Sequence, residues 1–186
     1  MKKILSLSLA LVLMFTFVGC GKDRGNQKKE NDIDIEYYAK LGQIPEVKYT
    51  LGTDVETVKS ELSALSESET DGEMVFSILE GNDNILIDNG TYSYYYKKAT
   101  PEKGIGCIVD YDTAYGFGLG AVIIEVKDAL SDYEYTEEAL NKENAFFMFG
   151  AETGTVIECK FEENTLAFVF VDNALCATAL YTGSDW

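Results

Sequence analysis

Leu51–Leu62 reads LGTDVETVKSEL, and Leu119–Leu130 reads LGAVIIEVKDAL. Laid on one another, the two stretches share Leu-Gly at the start, Val-Lys in the middle and Leu at the end. Val55 falls on Ile123, and just upstream Tyr49 falls on Phe117. The first stretch has a helix signature. Thr53-Asp54-Val55-Glu56 fits a capping box, in which the Thr53 oxygen and the Glu56 carboxylate satisfy each other's backbone amides. Val55, Val58, Leu62 and Leu65 then recur at the spacing of one helix face. Ser66–Gly72 (SESETDG) ends the helix in a polar loop.

Read alone, Ala121–Val126 (AVIIEV) is a strand, because β-branched residues favour the pleated sheet. The repeat reverses that reading. Ile123, Val126 and Leu130 land on Val55, Val58 and Leu62, so a second helix is expected there, without the cap that Thr53 supplies to the first.

Strand candidates follow each helix. In the first half they are Glu73–Glu80, Ile85–Asp88, Thr91–Lys98 and Ile105–Tyr111, with Asn89-Gly90 as the strongest hairpin signal. In the second they are Ala145–Phe149, Thr155–Phe161, Thr165–Val171 and Leu175–Tyr181, with Glu163-Asn164 as a turn. Between them Ser131–Asn144 is an acidic connection in which Thr136–Leu140 (TEEAL) is expected to form a short helical turn. The expected fold is therefore α+β: two tandem repeats, residues 43–115 and 116–186, each one helix packed on a four-stranded antiparallel sheet.

The N-terminus carries an address. Met1-Lys2-Lys3 is a positive start, and Ile4–Val18 is an apolar run of signal-peptide length, too short to span a membrane. Phe17-Val18-Gly19-Cys20 resembles the lipobox of bacterial lipoproteins. That resemblance implies cleavage after residue 19, lipidation of Cys20, and an extracytoplasmic protein anchored to the bacterial cell membrane by its acyl chains. Residues 20–42 are expected to serve as a flexible tether, since Gly21–Glu36 is almost devoid of apolar side chains.

Composition limits the chemistry. With 32 acidic residues against 15 basic ones the net charge is −17, which repels phosphates and rules out nucleic acid as a ligand. His is absent, and with it the commonest general base, Ser-His and Cys-His nucleophile pairs and His-ligated zinc. Cys107, Cys159 and Cys176 lack the close spacings of a zinc site. Strand order in a meander argues against a Cys159–Cys176 bridge. Cys107 and Cys176, 69 residues apart, read as small core residues inherited by duplication. Asp110-Tyr111-Asp112 and Asn82-Asp83-Asn84 lack the EF-hand spacing. GFGLG at Gly116–Gly120 lacks the strand and helix context of a nucleotide loop. No catalytic residue, metal or cofactor is assigned.

The Tyr-rich strand is the remaining feature. Alternation sets Tyr92, Tyr94 and Tyr96 on one face and Ser93, Tyr95 and Lys97 on the other. One set packs beneath the helix. Tyr92, Tyr94, Tyr95 and Tyr96 are together the candidate protein-binding residues, because Tyr is enriched at interfaces.

Gly, five residues, Val, three residues, Leu occurs as Gly52, Val58, Leu62 and again as Gly120, Val126, Leu130. Behind a lipoprotein signal, this tandem pattern resembles the superfamily of β-lactamase inhibitor proteins and small outer-membrane assembly lipoproteins. The resemblance covers about residues 43–186. It implies a non-catalytic module that binds another envelope or extracellular protein through a sheet face. The alternatives are a carboxylate-based cell-envelope hydrolase and a small-ligand or cation sensor.

Overall fold

The computed structural model describes residues 33–69, 76–110, 112–140 and 153–183. The signal run, Cys20, most of the tether, the strand expected at Ala145–Phe149 and Tyr111 lie outside the described residues.

Helices form at both stretches where they are expected, and a further one precedes them. α1 is Ile35–Lys40, α2 is Val55–Glu69 and α3 is Ile123–Ala129. α1 occupies sequence that composition assigned to the tether. Asp34 caps it by accepting from the Tyr37 amide at 2.9 Å, and its Ile35 and Ala39 are buried. In α2 the capping oxygen comes from Asp54, not Thr53. Asp54 Oδ1 accepts from the Glu56 and Thr57 amides at 2.8 and 3.2 Å, while the Thr53 hydroxyl turns back to the Thr50 carbonyl. The buried face of α2 is Val55, Val58, Leu62 and Ser66. Leu65 lies at the helix shoulder, 37% exposed, and the Ser66 hydroxyl is accommodated by donating to the Leu62 carbonyl.

α3 forms where the second helix is expected, against local propensity. Val126 and Leu130 are fully buried and Ile123 packs on the same core. Val122 still shows strand character, forming an isolated bridge to Ala174 before the helix starts. Val122 has no oxygen to cap with, and only the Glu125 carboxylate bonds back, to the Val122 amide.

The strands are β1 (Ser77–Glu80), β2 (Asn84–Asp88), β3 (Tyr92–Lys97), β4 (Gly104–Val109), β5 (Tyr135–Ala139), β6 (Thr155–Phe161), β7 (Asn164–Val171) and β8 (Ala174–Thr182). β5 is a correction. Thr136–Leu140 is no helical turn, because Tyr135–Ala139 pairs residue for residue with Cys159–Thr155 of β6, and pairing overrides the helical preference of Glu-Glu-Ala.

A second correction concerns the sheet. The two meanders do not form separate four-stranded sheets. They form a single antiparallel sheet of eight strands in the order β1-β2-β3-β4-β8-β7-β6-β5. Its seam is β4 against β8, from Gly106↔Tyr181 to Val109↔Thr178. An isolated meander would leave its last strand as an open edge, and here each such edge is closed by the other.

The three described helices pack on one face of this sheet, around a core that includes Tyr94, Tyr96, Val109, Leu166, Phe168 and Leu180. A second cluster, with Ile108, Val156, Ala167, Val169, Ala177 and Ala179, lies on the opposite face. Cys107 belongs to the first cluster and Cys176 packs on the second, so the 69-residue lag between them is no structural equivalence. Cys107, Cys159 and Cys176 are all free thiols.

Phe168 marks the centre of the helix-side core. It is fully buried and meets Phe117 edge-to-face at 5.7 Å. Phe168→Ala is expected to lower the unfolding free energy by about 3–5 kcal/mol, read as a reduced urea midpoint at unchanged slope.

Candidate interaction face

The Tyr-rich strand β3 is built into the sheet, and its two faces meet different surroundings. Tyr94 and Tyr96 are 4% and 1% exposed and lie in the helix-side core with Val55, Val58 and Leu62 of α2. Tyr94 meets Tyr49 edge-to-face at 5.4 Å and Tyr92 at 6.5 Å. Gly104, beside Tyr96, explains how so large a ring fits. A Cβ there would come within 3.2 Å of the Thr53 carbonyl oxygen and 3.3 Å of the Tyr96 ring. The Gly52 amide donates to the Gly104 carbonyl and the Gly104 amide to the Thr53 carbonyl, so the loop before α2 is stitched to β4 over this ring.

The four tyrosines therefore do not act as one recognition surface. Tyr94 and Tyr96 are core residues, out of reach of any partner. Tyr92 packs partly on the same core, its hydroxyl donating to the Glu46 carbonyl at 3.3 Å. Tyr95 alone faces the other side, half-buried against the second cluster.

That other side carries the coherent surface. Cross-strand register places Leu79, Leu86, Tyr95, Gly106 and Tyr181 in one row over β1, β2, β3, β4 and β8. Leu79 is 59% exposed and Leu86 half-buried, while Tyr181 is nearly buried. Gly106, with no side chain, separates the two tyrosines, so the row has a low point between two rings. Thr165 of β7 and the exposed Lys160 of β6 continue it. None of the described helices packs on this face.

The electrostatics of the row are acidic. Asp88 and Asp110 lie on this face beside Tyr95. Burial raises the Asp110 carboxyl above its ordinary value, and the neighbouring Asp88 raises it further. Burial, then the Asp110 and Asp88 charges, push the Tyr95 phenol up to about 12. Tyr181 donates to Glu158 at 2.7 Å, and its phenol is raised by burial and by that carboxylate.

Sequence reasoning found Tyr95 but missed Gly106, Leu86 and Tyr181. Gly104 and Gly106 stand two apart, but the bulge between Tyr95 and Tyr96 sets Gly104 beside Tyr96 and Gly106 opposite Tyr95, so alternation alone could not place Gly106 on this face. Asp110 directly follows β4, and Asn82 and Asp83 lie in the bend between β1 and β2. Among the described residues no group of three or more Cys, Asp and Glu side chains lies close enough to hold a metal ion. Cys159 is buried, and burial raises its thiol to about 11, which keeps the thiolate away at neutral pH. An open depression of about 610 Å³ lies at the far edge, lined by Tyr133, Glu134, Tyr135, Thr136, Glu158 and Lys160.

A further contact fixes the link between the halves. Glu46 accepts from two successive amides, Tyr115 at 3.1 Å and Gly116 at 3.2 Å, both residues having positive φ. The Tyr115 hydroxyl returns a 2.7 Å bond to the Gln43 carbonyl. The turn Ala114–Phe117, at the expected boundary between repeats, is thus tied to the loop after α1.

No protein-family model, curated protein or solved structure matches the chain.

The phenols set an alkaline limit. Tyr94, Tyr95, Tyr96, Tyr115 and Tyr181 all sit above the ordinary value of 10.0 through burial. Below that value folded and unfolded chains hold the same phenolic protons. Above it the unfolded chain ionises first, so stability falls as pH rises. Urea midpoints are expected to hold flat to about pH 10 and to drop beyond it, with the phenolate absorbance of these five residues appearing only together with unfolding. Phenolate absorbance corresponding to all 12 tyrosines while the fold is intact would contradict this burial.

Proposed function

We propose that the chain is a lipid-anchored, extracytoplasmic, non-catalytic protein-binding module built from two copies of one helix-plus-meander unit. The observation that carries the binding reading is the row Leu79–Leu86–Tyr95–Gly106 on the sheet face opposite the helices, flanked by Asp88 and Asp110. An apolar, aromatic strip with an acidic border suits a protein surface that offers aliphatic side chains and Lys or Arg.

Duplication is supported by the matching helices α2 and α3 and by the mirror-like strand order, in which the fourth strands of the two halves are neighbours. The same features support kinship with the β-lactamase inhibitor proteins and small outer-membrane assembly lipoproteins, whose resemblance implies recognition through a sheet. The anchor rests on the lipobox-like Phe17–Cys20.

Two experiments test the reading. In cells fed radiolabelled palmitate, the wild-type chain is expected to take up label and fractionate with the membrane. Cys20→Ala should do neither, and a labelled Cys20→Ala chain would defeat the anchor. For binding, affinity capture of exported proteins by the wild-type chain is compared with capture by Leu86→Lys. Loss of a specific band with Leu86→Lys, at unchanged melting temperature, is expected. Equal recovery by both chains would remove the face from consideration.

A further inference from the structure

The two outer strands of the sheet end it in opposite ways. β5 carries Glu137 and Glu138, and Glu134 precedes it. Lys127 of α3 reaches across to Glu137 at 2.6 Å. Charged side chains along an edge strand discourage an incoming strand. β1 has fewer such devices. It reads Ser77-Ile78-Leu79-Glu80, with no Pro, no Lys and no bulge against β2. All four residues are exposed, and Ile78 and Leu79 expose 37% and 59% of their surface. Among the described residues β1 has a strand neighbour on one side only. No other described strand pairs with its outer amides and carbonyls.

Charge decides between possible occupants. A second copy would bring another net −17. Along β1 itself the charges are graded. Glu80, at one end, is paired with Lys98 at 3.1 Å. At the other end Asp88 stands opposite Ser77, and Asp110 lies near enough to feel its charge. An incoming strand with Lys or Arg beside Ser77 meets that acidic end.

We propose that β1 takes up an extended segment of a partner protein, with apolar residues alternating with Lys or Arg, as a ninth strand of the sheet. Main-chain hydrogen bonds supply the recognition, and alternate side chains pack beside Ile78 on one face and Leu79 on the other. This inference shares Leu79 with the row on the face opposite the described helices, but it rests on a backbone ladder and not on that side-chain surface, and the N-methyl peptide below separates the two.

The test uses the full chain and three fluorescein-labelled eight-residue peptides in anisotropy titrations at physiological salt. One alternates Val and Lys, one is the same with every second backbone nitrogen methylated, and one alternates Val and Glu. Saturable binding of the first is expected, with the other two at least tenfold weaker. The N-methyl peptide keeps its charges but cannot join a ladder, so equal binding by it would overturn the proposal. Absence of saturable binding by the first peptide would do the same. The double variant Ile78→Lys, Leu79→Lys should weaken the Val-Lys peptide at least tenfold at unchanged melting temperature. The peptide comparison decides the question even if that variant folds poorly.

Discussion

The pairing of β4 with β8 is the constraint on which the rest depends. Ile108, Val109, Ala179 and Leu180 all lie in this seam and are almost completely buried. Unpaired, both strands would present apolar side chains and a row of backbone donors and acceptors to water. Paired, they give the two meanders a common sheet and set α1, α2 and α3 on one side of it. The helix-side core then runs without a break from Tyr94 and Tyr96 in the first half to Leu166 and Phe168 in the second. A core of that extent compensates for helices that are short, α1 and α3 having six and seven residues.

A core rich in tyrosine brings a polar obligation, since a buried phenol needs somewhere to place its hydroxyl. The structure meets it at the margins. Tyr49 reaches Glu61 at 3.0 Å, Tyr92 the Glu46 carbonyl, Tyr115 the Gln43 carbonyl and Tyr181 Glu158. Three of these four bonds involve the loop residues 43–49 and tie it to α2, to β3 and to the Ala114–Phe117 turn, so the phenols orient that loop over the sheet. Glu61 is also held by Lys48, whose ammonium and the Tyr49 hydroxyl keep its carboxyl below its ordinary range.

What could be read from the chain beforehand followed from how much of each element's fate is local. The second helix was legible only because Ile123, Val126 and Leu130 repeat Val55, Val58 and Leu62, since its own β-branched run speaks for a strand. β6 was legible from alternation, and its limits are Thr155–Phe161 as read. β5 was not, because Thr-Glu-Glu-Ala-Leu has helical preferences and becomes a strand only through its partner β6. The seam was equally hidden, as nothing in either meander specifies which outer strand will meet the other. Leu65 and Ser66 exchanged places because a real helix drifts from a strict apolar spacing. In the candidate site, alternation correctly separated Tyr95 from Tyr94 and Tyr96, yet it could not say which face the helices would cover. The contribution of Gly106 needed the cross-strand neighbours to be known.

α1 has a consequence for how the chain is wired. It precedes the first meander but rests on β6 and β7 of the second, where the Asn164 side chain holds the Ala39 and Lys40 carbonyls and Lys40 pairs with Glu162. The described chain therefore starts on the second half, crosses to the first, and returns through the Ala114–Phe117 turn. Severing it at that turn would part a helix from its own bed, so neither fragment would contain a whole interior. The two halves are interlocked like clasped hands, and during synthesis the earliest described segment has to wait for almost the last before it can settle.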